Sequence, residues 1–100
     1  MEKKKAHYSL DRIKELVRAD KWMLTLTAEK NSWEQFDLGV DGVKAIVLDL
    51  NPRVFYKSMT AINDNSLWQD VYHPMVGERK GYVKLQIVDG STVVIQFKEK

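Results

Sequence analysis

One hundred residues, 44% hydrophobic and 30% charged, suit a single domain over 1–100 with one modest core. The absence of cysteine excludes disulfides and thiolate zinc ligands together, and His7 and His73 are too few and too far apart to hold a metal, so neither a metal nor a cofactor is expected. The net charge of +2 is too small to mark a nucleic-acid partner by itself, but all of it falls in residues 51–100, where seven Lys and Arg oppose five Asp and Glu, so that half is expected to face an anion.

The chain opens on EKKK, read as a solvated tail, with no charged-then-apolar leader and no apolar run of membrane-spanning length, so a cytoplasmic protein without a membrane partner is expected. Ser9 then caps a helix in which Leu10, Ile13, Leu16 and Val17 recur at helical spacing. WMLTLT, residues 22–27, alternates as an edge strand, and Thr27 caps a second helix that runs through Trp33 and Phe36 to Leu38 and Gly39. Asp41 caps a third, whose stripe is Val43, Ile46, Val47 and Leu50, and Asn51 with Pro52 stops it.

From Val54 the period changes to two and predicts four successive strands, with turns at INDNS, around HPMVGERKG and at DGS. Helices first and strands afterwards predict an α+β domain, with the helices covering one face of a mostly antiparallel sheet. In the last hairpin the apolar sets Val83, Leu85, Ile87 and Val93, Ile95, Phe97 share a face if 83 lies opposite 97, 85 opposite 95 and 87 opposite 93. That register puts Tyr82 across from Lys98, and Lys84 across from Gln96, on the face away from the core. It also asks for a three-residue turn, Asp89, Gly90 and Ser91, against the local preference of Asp-Gly for two.

The strands around FYKSM and LWQDVYHP mix polar and apolar groups on both faces: Phe55, Lys57 and Met59 share one parity, and Trp68, Asp70 and Tyr72 another. An odd number of turn residues at NDN would set Lys57 and Gln69 on one side, beside Tyr82 and Lys98. Trp68 and Tyr72 would then pack beneath the sheet. Lysine, tyrosine and glutamine can share the work of metal-free RNA cleavage, which needs a base for the 2′-OH, positive charge for the phosphorane and an acid for the leaving oxygen. Each residue also has a plain reading. Lys98 can be solvated, Tyr82 can be packing, and His73 before Pro74 can be an ordinary surface histidine.

FYKSM, LWQDVYHP, YVKLQI and the terminal VVIQFKEK together resemble the motility quorum-sensing regulator (MqsR) family of type II toxins, RelE-like mRNA interferases, densely from Phe55 to Lys100 and more loosely before it. The resemblance implies a metal-independent endoribonuclease that cuts messages at short GC-containing sites, with Lys57, Gln69, Tyr82 and Lys98 as its catalytic set. Lys84, His73, Arg79 and Lys80 are expected to hold RNA, His73 standing where the family is expected to favour Arg. It implies as well a cognate antitoxin with a zinc-binding N-terminal domain and a helix-turn-helix domain, through which any operator DNA would be reached. The alternative is a non-catalytic RNA- or protein-binding α+β module.

Overall fold

Ser9 opens the first helix as its spacing implies: its hydroxyl accepts from the Arg12 amide, and α1 (Leu10–Arg18) turns Ile13, Leu16 and Val17 inward. In the computed structural model, which describes residues 1–100, three helices lie on a seven-stranded sheet, the expected α+β arrangement. The other elements are β1 (Glu2–Lys3), β2 (Trp22–Leu24), α2 (Leu26–Phe36), α3 (Val40–Asp49), a 3-10 turn at Pro52–Val54, β3 (Phe55–Ala61), β4 (Asp64–Tyr72), β5 (Met75–Val76), β6 (Arg79–Val88) and β7 (Ser91–Glu99). Strand order is β1-β3-β4-β6-β7-β2, with β5 beside β6, and β2 with β7 is the one parallel pair.

The core gathers one residue set from every layer: Ile13 and Val17 of α1, Val43 and Val47 of α3, Tyr72 of β4, Val83 and Leu85 of β6, Val94 and Phe97 of β7. Phe97 is fully buried and meets Phe36 edge to face at 5.7 Å, a favourable geometry for two aromatic quadrupoles. The short β2 covers only the first part of the β7 edge. Beyond it α2 takes over: Thr25 donates from its amide to the Val94 carbonyl at 3.1 Å and from its hydroxyl to Ile95 at 2.8 Å, and Gln35 Oε1 accepts from the Glu99 amide at 2.6 Å. The open edge is thus closed by α2 and its cap residue rather than by another strand.

Several boundaries differ from the sequence reading. The cap of α2 is Thr25, not Thr27, because the chain leaves the sheet after Leu24; Leu26, which the strand pattern counts as apolar, is 86% exposed. Gly39 occupies the N-cap of α3, and Asp41 lies inside its first turn, where a carboxylate still favours the helix dipole. The second half carries β5 in addition to the four expected strands. The EKKK stretch is no tail: Glu2 and Lys3 pair antiparallel with Met59 and Ser58.

The final hairpin keeps the two-residue turn and meets the core-matching register only at its far end. Its turn is the two-residue Asp89-Gly90, with φ of 49° and 76°, the pair of positive values that glycine and aspartate tolerate best. A bulge at Ile95 then shifts the register by one, so that Leu85 lies opposite Val94, and Ile87 opposite Thr92, while Val83 stays opposite Phe97, Lys84 opposite Gln96 and Tyr82 opposite Lys98. The expected pairs 85 with 95 and 87 with 93 are therefore wrong. Val93 and Ile95 are only half-buried, and the core face of β7 is Thr92, Val94 and Phe97.

Candidate active site

A second bulge, at Tyr56, accounts for the mixed pattern of β3. Phe55 is opposite Tyr72 and Lys57 is opposite Val71, so the intervening Tyr56 is unpaired and the alternation reverses across it. Phe55 accordingly packs on the core side against Tyr72, ring centroids 5.4 Å apart, while Lys57 points to the outer face. Met59 lies opposite Gln69, which puts Lys57 and Gln69 on the same side. On the core side of β4, Tyr72 is buried and Trp68 half-buried under the N-terminal segment, with the His7 ring stacked at 5.7 Å and Lys3 Nζ 4.1 Å from the indole centroid.

Asp70 shares that side and is fully buried. Its oxygens accept from the amides of His7 at 3.1 Å and Tyr8 at 2.9 Å. Burial and the nearby Asp70 push the Tyr72 phenol up to about 12. This carboxylate is structural; it ties the approach to α1 down onto the sheet.

Three rows of side chains cross the outer face. Lys57, Val71, Lys84 and Gln96 are successive partners in one row. Tyr82 and Lys98 form the next, and Met59 with Gln69 lies on the other side, where Gln69 donates to Gln86 Oε1 at 3.1 Å. Tyr82 is the hub. Its ring centroid is 5.1 Å from Lys98 Nζ, 5.8 Å from Lys84 Nζ and 5.8 Å from the His73 ring, and its hydroxyl reaches across β4 to Met59 Sδ at 4.0 Å. The phenol therefore ends beside the residue that pairs with Gln69.

The electrostatics separate these groups. Lys57 donates to Glu2 Oε2 at 2.5 Å, and that bond holds its ammonium above the usual lysine range. Lys84 has no carboxylate partner; burial, then Lys98 and Lys57, holds it below that range. Burial raises the Tyr82 phenol, with Lys57 opposing. Burial, reinforced by Lys100, Lys80 and Lys57, lowers the His73 imidazole and keeps it neutral. One face thus carries a fixed cation, a lysine disposed to lose its proton and a phenol disposed to keep its own.

Of the sequence-predicted residues, Lys57, Gln69, Tyr82, Lys98, Lys84 and His73 come together here, and Lys80 borders them beside His73 in a side cavity. Arg79 stands apart. It lies over the Phe36 ring at 4.6 Å, pairs with Glu99 at 2.9 Å and donates to the Gln35 carbonyl, on the helical side of the sheet. Glu2 and Tyr56 join the site without a sequence signal: one belongs to a stretch read as a tail, and the other changes face only through its bulge. The largest cavity, about 460 Å³, lies under residues 4–10 against Phe55 and Tyr72 and contains none of the groups gathered around Tyr82. No group of three or more His, Asp or Glu is placed to ligate a metal.

The profile of the family described as "Motility quorum-sensing regulator, toxin of MqsA" matches residues 5–99. The chain is 35% identical over 100 residues, covering all of both chains, to the "mRNA interferase toxin MqsR" of Escherichia coli (strain K12).

Proposed function

Since the chain belongs to the motility quorum-sensing regulator family of toxins, we propose that it is an endoribonuclease that cleaves mRNA on the outer face of its sheet. The observation that carries this placement is the convergence of two lysines and an imidazole on one phenol, with Lys57 in the neighbouring row. Lys84 takes the proton of the 2′-OH, since only an unprotonated amine can act as base and it is the lysine pressed towards that form. The 2′-oxygen attacks the adjacent phosphorus. Lys57 and Lys98 stabilise the extra negative charge of the phosphorane. Tyr82 gives its proton to the departing 5′-oxygen, leaving a 2′,3′-cyclic phosphate and a 5′-hydroxyl. Gln69 orients, because an amide does not transfer protons at neutral pH.

None of these services calls on a metal: the groups are one amine, two ammoniums, a phenol and an amide. The expected result is that a defined single-stranded RNA is cut equally well in EDTA and that end-group analysis finds 2′,3′-cyclic phosphate. Activity lost in EDTA and restored by a divalent ion would sink the mechanism. Tight RNA binding without cleavage would favour the non-catalytic module instead. Short GC-containing sites are the proposed targets and the cytoplasm the proposed location. No helix is long and apolar enough to cross a membrane. A cognate antitoxin, with a zinc-binding domain and a helix-turn-helix domain, is the proposed protein partner and the route to operator DNA.

Glu2 competes with RNA phosphate for Lys57. Glu2→Gln is expected to tighten RNA binding by up to about fivefold, the range of a solvent-facing ion pair, and to steepen its salt dependence. Weaker binding by this variant would mean that Glu2 positions Lys57 rather than competing for it.

A further inference from the structure

Beside the Tyr82 cluster the Tyr56 bulge opens a cavity of about 340 Å³, lined among others by Arg53, Tyr56, His73, Met75 and Lys80. Its size is at the small end of ligand pockets, about 300–1,000 Å³, and suits one nucleotide rather than a longer segment. The Tyr56 and His73 rings are stacked at 4.3 Å with 22° between their planes, and Tyr56 remains 43% exposed. His73 Nε2 is buried and lacks a hydrogen-bond partner, the one such side-chain atom in the molecule. The same ring is 5.8 Å from Tyr82. The cavity and the proposed cleavage site therefore share a wall.

We infer that this cavity is a nucleobase subsite: it receives the unpaired base of the nucleotide next to the scissile phosphate, stacked on the Tyr56–His73 pair, with Arg53 and Lys80 at the sugar-phosphate backbone. Unpaired bases are commonly held on aromatic rings, and the cations beside these two suit the backbone that comes with the base. Tyr56 earns its place through the bulge alone, since in a regular strand it would turn to the core side with Ser58. The inference rests on the endoribonuclease reading and deepens it by assigning the neighbouring base a site.

The test compares the wild type with Tyr56→Ala and Tyr56→Phe on a defined RNA and on the same RNA made abasic, one position at a time, on either side of the cleaved bond. Tyr56→Ala is expected to lower kcat/KM on intact RNA about fivefold to a hundredfold, the range of one lost base stack, while Tyr56→Phe stays near wild type. At one flanking position the abasic RNA should lose as much with the wild type and little more with Tyr56→Ala. Losses that multiply at every position would overturn the subsite, as would an unaffected Tyr56→Ala. A wild type that fails to cleave intact RNA would overturn the endoribonuclease reading instead. A Tyr56→Ala variant that melts early is judged by Tyr56→Leu, which refills the space without a stacking ring and should show the same loss.

Discussion

Lys84→Ala is expected to lower single-turnover cleavage of RNA about a hundredfold to ten-thousandfold, the span of a lost general base, with an unchanged thermal melt. The informative companion is Lys84→Arg. Arginine keeps the positive charge but does not give up its proton, so a base at this position is lost as fully as in the alanine variant, whereas a mere charge would be restored. The sign of the pH effect follows from the same assignment. A base acts without its proton, so cleavage should rise with pH and level off once Lys84 is neutral. Burial, with Lys98 and Lys57, sets that midpoint below the one a free lysine would give. Lys98→Met removes one of the like charges and should move the midpoint up. Wild-type rates in Lys84→Arg, or a profile that falls with rising pH across the same range, would transfer the role of base to another group.

Asp70→Ala is the largest expected loss of stability, about 2–5 kcal/mol, because it strands the amides of His7 and Tyr8 near a buried position. For a domain of this size each kcal/mol shifts Tm by about 4–8 °C. Hydrogen exchange should localise the damage, with the amides of His7 and Tyr8 losing protection before those of β6 and β7. Asp70→Asn should recover part of the stability, since it keeps one acceptor oxygen but turns an NH2 group toward a donor. A variant that melts like the wild type would show that the N-terminal segment is held by other contacts, the Tyr8 hydroxyl on the Trp68 carbonyl among them.

The layout of the fold was legible where the pattern is periodic and local. Ser9 with its helical stripe, the stop at Asn51-Pro52 and the change to period two each rest on a few neighbouring residues, and each corresponds to an observed element. What could not be read is the bulge. A bulge adds one residue to one strand and reverses the alternation beyond it, leaving no mark in composition. At Tyr56 it makes Phe55 and Lys57, which share parity, face opposite sides; at Ile95 it splits Val93, Ile95 and Phe97 in the same way. The pairing of Tyr82 with Lys98 survived because it lies on the far side of the Ile95 bulge from the turn, where the core had already fixed the register. Asp70 was illegible for another reason, since its partners are backbone amides more than sixty positions away.

The parallel pairing of β2 with β7 has a consequence for the order in which the chain is made. Trp22 emerges from the ribosome about seventy residues before its partner Thr92, and Lys98 follows every other group around Tyr82. Contacts of such wide separation form late, because the loop between them must close first. A nascent chain that has not yet released β7 therefore has neither the edge on which β2 docks nor the lysine beside the phenol. The sheet and the cluster around Tyr82 are therefore complete only after β7 has left the ribosome.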